Sequence, residues 1–184
     1  NDWITPWFDL DTPFWGKPPL SFWLLALSMK IFGVSEFAAR LPSWLSLCAT
    51  AALLYRLVNQ LQGSVQGMWA AIIYVSTALS FIAGAGVLTD PFLNLGLVLA
   101  FVSFVLVLEG KTSFLWRYGL FVGLSIALLA KGPLALVLFG APLAIWLGLS
   151  FSKRFPLLKR FHWSRGLVVT AALVLPWYVL AEIK

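Results

Sequence analysis

Ser152-Lys153-Arg154-Phe155-Pro156-Leu157-Leu158-Lys159-Arg160-Phe161-His162-Trp163-Ser164-Arg165 lies between two apolar stretches, 134–149 and 167–180, and carries five Lys/Arg and no carboxylate. A short loop of that charge between hydrophobic spans is what the positive-inside bias places in the cytoplasm. Once this loop has a side, the alternation of spans assigns one to every other loop.

Outward from that loop, composition points the same way. The chain is 61% hydrophobic and 11% charged, with a mean hydropathy of +0.92, whereas a soluble domain carries roughly 25% charged residues. Six segments, 41–58, 67–88, 91–108, 114–130, 133–150 and 166–181, approach the roughly 17 to 25 residues that a helix needs to cross a hydrocarbon core. Pro142 and Pro176 interrupt two of them, which membrane helices tolerate when neighbours satisfy the freed backbone groups. The expected fold is therefore an all-α polytopic membrane protein, a single domain. Residues 1–40 are expected to form a non-cytoplasmic loop with one short interfacial helix, and 41–184 six transmembrane helices.

Trp3, Trp7, Trp44, Trp116, Trp163 and Trp177 lie near predicted span ends, where the amphipathic ring is favoured, although each also suits ordinary packing. Cys48 is the lone cysteine, so no intrachain disulfide forms and no metal spacing is present. No repeat, low-complexity tract or soluble domain is visible. The chain opens on Asn1 without an initiator Met or signal-like segment, so it is expected to be a piece of something longer.

With six alternating spans, the cytoplasmic connections hold Arg56, Lys111, Arg117, Lys153, Arg154, Lys159, Arg160 and Arg165 against Glu109, a net of +7. The other side holds Lys17, Lys30, Arg40, Lys131 and Lys184 against Asp2, Asp9, Asp11, Glu36, Asp90 and Glu182, a net of −1. The basic excess of the chain is thus topological and gives no support for nucleic-acid binding. His162, the only histidine, sits in the basic loop, where it anchors neither a catalytic triad nor a multi-His metal site.

The stretch 18–32 is short for a span and carries Ser21, Ser28 and Lys30, which suits an interfacial or re-entrant helix. Pro18-Pro19 fits its first turn, where the missing amide has no partner to lose, and Gly33 ends it. If it lies flat, residues 1–17 share a side with Glu36 and Arg40; if it spans, they move to the cytoplasm. The flat arrangement is expected.

In that arrangement the unusual ionisable residues gather on one face, and charges near a membrane interior are functional candidates by default. Lys17 stands between Phe14-Trp15-Gly16 and Pro18-Pro19. Arg40 heads a span, Asp90 occupies a hairpin between two spans, and Lys131 occupies another hairpin on the same side. One acid and three cations are placed to converge on an anionic group. Each has a plainer reading: Lys131 and Arg40 snorkelling to headgroups, Asp90 capping the helix that begins at Pro91. Asp9 and Asp11 read as solvated loop acids. The glycines of Gly84-Ala85-Gly86 and Gly132 lack a phosphate-loop pattern and read as close helix packing.

Asp2-Trp3-Ile4-Thr5-Pro6-Trp7-Phe8, Phe14-Trp15-Gly16-Lys17-Pro18-Pro19-Leu20 and Phe32-Gly33-Val34-Ser35-Glu36-Phe37-Ala38-Ala39-Arg40-Leu41-Pro42-Ser43 resemble the first periplasmic loop and second span of the multi-spanning polyprenyl-phosphate-dependent glycosyltransferases. That group includes the protein O-mannosyltransferases and the bacterial aminoarabinose transferases of lipid A. Leu88-Thr89-Asp90-Pro91 and Ala130-Lys131-Gly132-Pro133 match later landmarks in order. The resemblance implies a GT-C type fold in the bacterial inner membrane. It also implies an active site on the periplasmic side that moves a sugar from a polyprenyl-phosphate donor to a hydroxyl of a lipid, glycan or protein.

By that resemblance Lys17 contacts the donor phosphate and Arg40 helps hold it. Trp15 and Lys131 join the substrate-binding set, and Asp90 is an acid tied to activity. The physics agrees, because breaking a sugar–phosphate bond builds charge on the phosphate that preorganised cations stabilise, while a carboxylate on the acceptor side takes the hydroxyl proton. No metal site or resident cofactor is expected; the lipid-linked sugar is a substrate. Two departures from the family pattern stand out: its acid-aromatic segment is not found ahead of Asp2, and Gly16 replaces the acid often found before the lysine. The expectation is a glycosyltransferase fragment with much of the donor-phosphate site, inactive alone. A lipid-phosphate flippase or transporter subunit is the alternative, but it calls for ionisable groups near the midplane and repeated halves, and neither is visible. A purely structural membrane subunit would not need Lys17 in its aromatic-proline frame.

Overall fold

The computed structural model describes residues 3–5, 7–9, 12–14, 16–149 and 154–183, with backbone only at 7–9 and 12–13. Two short strands, β1 (Trp7–Asp9) and β2 (Thr12–Pro13), pair antiparallel, a small departure from an all-helical chain. Eight α-helices follow among the described residues: α1 (Leu20–Phe32), α2 (Glu36–Gln62), α3 (Ser64–Ser76), α4 (Ala78–Ala85), α5 (Asp90–Leu108), α6 (Phe114–Lys131), α7 (Leu134–Gly148) and α8 (Trp163–Ile183). A 3-10 turn, Phe155–Arg160, precedes α8.

The chain is a multi-pass helical membrane protein, and its helices differ from the six uniform spans that hydropathy suggests. Four of them, α2, α5, α6 and α8, are long and apolar enough to cross a bilayer, and α3 with α4 makes a fifth if the bent pair is one span. The expected span 67–88 is broken at Thr77, where the axis bends by 65°. Thr77 takes an extended conformation (φ −64°, ψ 129°) while its backbone N–H and its Oγ1 both donate to the carbonyl of Ile73, the Oγ1 at 2.8 Å. A side chain that competes for a helix carbonyl in this way favours a break. The sixth expected span, 133–150, appears as the 15-residue α7, about 22 Å long against a hydrocarbon core of about 30 Å.

The centre of the bundle is the α5–α6 pair, and glycine sets its closeness. A Cβ on Gly123 would lie 2.5 Å from the Gly96 oxygen, and one on Gly96 would lie 2.6 Å from the Gly123 oxygen, so the two backbones touch. Small residues at a membrane crossing allow this approach, and with it the dispersion contact that holds helices together in lipid. Gly84 likewise packs on Leu47, as expected of it. Gly132 has a different role: with φ +65° it ends α6, its N–H donating to the Leu128 carbonyl at 2.7 Å.

At one end of the pair, Phe104 stacks on Phe161 (5.4 Å, 11°) and meets Phe139 and Trp146 edge-on. The basic loop is therefore partly core: Phe161 is buried, and Trp163 packs on Phe121 and donates to the Leu158 carbonyl. Trp177 is also buried, donating to the Ile4 carbonyl at 2.9 Å. Trp3 and Trp44 are exposed, as an interfacial reading expects.

Helix α1 crosses the other end. Leu20 and Leu24 pack on the cluster of Phe92, Leu93, Ala127 and Ala130, Trp23 packs on Leu129 and Trp177, and Ser28 donates to the Ala38 carbonyl in the first turn of α2 at 2.6 Å. Both ends of α1 thus meet the same rim, formed by the start of α2, the start of α5 and the ends of α6 and α8. With 13 residues it is about 20 Å long, short of the hydrocarbon thickness.

Candidate active site

The rim under α1 holds the ionisable residues. Lys17 precedes Pro18-Pro19, and the Pro19 carbonyl accepts from the Trp23 N–H to open α1. The Pro18 ring reaches within 3.7 Å of where a Cβ on Gly132 would stand, with the Tyr178 hydroxyl 3.2 Å from the same point. The two prolines therefore hold the lysine's segment against the α6–α7 turn. Stiff φ angles at adjacent prolines leave that segment little freedom.

Asp90 opens α5 ahead of Pro91, but it is not the cap: Thr89 occupies that position, and its side chain makes no capping bond. The Asp90 carboxylate instead accepts a hydrogen bond from Lys131 Nζ at 2.6 Å, across 41 residues of sequence. Lys131 is only 26% exposed, so it reaches inward to the acid, which is itself 56% exposed. A cation bound at this distance fixes the carboxylate's direction.

Lys17 and Asp90 line one cavity of about 340 Å³ between α1, α2 and the start of α5, a volume in the range of small-molecule sites. Its walls are mainly apolar, and Ser21, Ser43 and Thr89 add hydroxyls. Thr89 is 7% exposed, and the oxygens of Ser21 and Thr89 have no hydrogen-bond partner. These three hydroxyl residues were not named as site residues from sequence; only Thr89, inside Leu88-Thr89-Asp90-Pro91, and Ser43, closing Arg40-Leu41-Pro42-Ser43, carried any signal. Among the described residues no acid pairs with Lys17.

Arg40 does not join this group. Ala39, Pro42 and Ser43 present their face of α2 to the cavity, while Arg40, about 100° further round the helix, lines a separate cleft with Phe37, Trp44 and Gly84. It pairs there with Glu36 at 3.3 Å. The convergence of three cations on one anion reduces to Lys17 beside an Asp90–Lys131 pair. Trp15 lies outside the described residues.

Asp90 also borders a second cleft, about 550 Å³, that the bend at Thr77 opens between α4 and α5. Asn94 lines it, donating to the Tyr74 hydroxyl at 2.7 Å. The carboxylate thus stands on the wall between two cavities. Among the described residues, no three His, Cys, Asp or Glu side chains gather as a metal site would require.

Residues 16–179 match the family model for dolichyl-phosphate-mannose-protein mannosyltransferase. The chain belongs to this family. Within the dolichyl-phosphate-mannose-protein mannosyltransferase family, it is similar to the undecaprenyl phosphate-alpha-4-amino-4-deoxy-L-arabinose arabinosyl transferase of Yersinia pestis, 34% identical over 143 residues that cover 74% of this chain and 25% of the relative. The enzyme of that name from Erwinia tasmaniensis is 29% identical over 183 residues, 97% of this chain and 32% of the relative. The chain therefore spans about a quarter to a third of the length of these relatives. Crystal structures of ArnT from Cupriavidus metallidurans share its fold. The apo form superposes with a TM-score of 0.90 at 20% identity over 99% of this chain and 34% of ArnT. The form bound to undecaprenyl phosphate also gives 0.90, at 19% identity. The resemblance first read from five motifs is thus a family relationship, with the GT-C type fold those motifs implied.

Proposed function

We propose that this chain forms the donor-phosphate side of a membrane glycosyltransferase that moves a sugar from a polyprenyl phosphate to a hydroxyl acceptor at the periplasmic face of the bacterial inner membrane. The observation that carries this is the shared cavity of Lys17 and Asp90 at the rim beneath α1. The names of the relatives, and the undecaprenyl phosphate bound to ArnT, support the donor class.

In this reading Lys17 faces the phosphate as the bond from the anomeric carbon to the phosphate oxygen breaks and negative charge builds on that oxygen. Lys17 is exposed, but its backbone segment is held by two prolines beside an apolar-walled cavity, and an ammonium placed there stabilises developing charge. The acceptor approaches from the far side of the Asp90 wall, and the carboxylate takes its hydroxyl proton as the new glycosidic bond forms. Lys131 acts on the acid, aiming it. Residues 1–40 then lie outside the bilayer, with α1 flat on its surface.

Two expected outcomes test the reading. Asp90→Asn, in the protein expressed from its complete reading frame, lowers transfer of sugar from a polyprenyl-phosphate donor by about 100-fold or more while membrane insertion is unchanged. Transfer near the parental rate removes Asp90 from the chemistry. For sidedness, single cysteines replace Val34, 88% exposed, and Ser164 in a Cys48→Ser background. A membrane-impermeant maleimide applied to spheroplasts labels position 34 and spares 164. The reverse pattern places the cavity on the cytoplasmic side and ends the periplasmic assignment.

A further inference from the structure

The end of the bundle opposite Lys17 gathers cations that the glycosyl-transfer reading leaves unused. Arg160 donates to the Leu108 carbonyl at the end of α5, which lays the 3-10 turn on the α5–α6 connection that carries Lys111. Arg117 of α6 lies 3.0 Å from His162 Nε2. Arg154 donates to the Trp146 carbonyl at the end of α7 and sits 5.0 Å over that indole ring. Arg154 and Arg160 meet the negative ends of helix dipoles, where cations are favoured. These contacts pin the described part of the basic loop, residues 154–162.

Of the other described cations at this end, Arg56 lies on α2, while Lys111, Lys159 and Arg165 lie on or beside the α5–α6 connection and the pinned loop. These last three are exposed, and no described carboxylate lies within ion-pair distance of them. Glu109 is the one acid at this end among the described residues. Next to them, Phe114 is 77% exposed, Phe155 47% and Val168 67%. A soluble acidic protein docking here would have to cover these apolar side chains or leave them in water. An anionic phospholipid matches both features at once, because its phosphate meets the cations while its acyl chains cover the apolar side chains.

We propose that this end of the bundle is a binding surface for anionic phospholipid headgroups, with Lys111, Lys159 and Arg165 as the phosphate-facing cations. The surface is distinct from the donor cavity, so either can stand without the other. Each cation near a charged membrane surface contributes about fivefold in lipid preference, about 100-fold for three.

The test uses the protein in nanodiscs of phosphatidylcholine and phosphatidylglycerol, with lipid preference read by native mass spectrometry of what the protein retains. The parent prefers phosphatidylglycerol by about 100-fold, and the triple variant Lys111→Gln, Lys159→Gln, Arg165→Gln loses most of that preference. The charge-keeping variant Lys111→Arg, Lys159→Arg, Arg165→Lys retains it. High salt abolishes the preference in the parent, as screening of exposed charge requires, which serves if the triple variant does not purify. Inorganic phosphate in excess displaces little of the retained lipid. The proposal is overturned by a parent that does not discriminate, by a glutamine variant that still does, by a preference that survives high salt, or by displacement with polyglutamate in place of lipid. Lys30→Gln, at the end of α1 on the opposite side of the bundle, keeps the full preference.

Discussion

Lys17→Ala is expected to lower sugar transfer from a polyprenyl-phosphate donor by about 100- to 1000-fold, the usual cost of removing one preorganised charge-stabilising donor. The reason lies in the isolation of this lysine. Arg40 faces another cleft, and Lys131 is engaged with Asp90, so among the described residues no other free cation lines the cavity. Loss of the ammonium leaves the leaving phosphate facing apolar walls and hydroxyls. Lys17→Arg restores part of the rate, because charge is retained while the fork geometry of the guanidinium differs from the point charge it replaces. Arg40→Ala, by contrast, loses far less. Transfer measured in membranes of matched expression decides between them: equal losses at 17 and 40 would return Arg40 to the phosphate and contradict the geometry of α2.

The second large effect is structural. Gly123→Ala is expected to destabilise the bundle by about 3 kcal/mol or more, at the upper end of the cost of overpacking, and to lower the yield of monodisperse protein in detergent. A Cβ there would meet backbone atoms of Gly96 and Ala100 at 2.5 to 2.6 Å, and backbone cannot rotate out of the way as a side chain can. Gly140→Ala on α7 is the matched control: its Cβ would meet nothing within 4 Å, and alanine favours a helix over glycine by about 1 kcal/mol. The same chemical change is therefore expected to have opposite signs at the two sites. Thermal unfolding followed by intrinsic Trp fluorescence reads both; a tolerant Gly123 would show that α5 and α6 are not locked by backbone contact.

Several features were legible before the fold because they are sums over local sequence. Hydropathy located α2, α5, α6 and α8, and the Pro18-Pro19 start with its Gly33 end bounded α1 to within two residues. The motif Gly16-Lys17-Pro18-Pro19 singled out the lysine. Hydropathy did not show the break at Thr77, because the segment stays apolar on average while two hydroxyls, of Ser76 and Thr77, compete for the Ile73 carbonyl. Nor did charge alone show that Arg154 and Arg160 bind helix ends.

The sequence by itself determined that this chain is a bundle of membrane helices, and which few charges stand at the rim. Burying apolar spans is a property of composition along the chain, and ionisable residues stand out against it. Which of those charges share a cavity was decided only by tertiary structure. One step along α2 turns a side chain by about 100°, so Ala39 faces the cavity while Arg40 faces a different cleft. Likewise, the glycine-to-glycine contact of α5 with α6 sets the spacing that brings Lys131 onto Asp90.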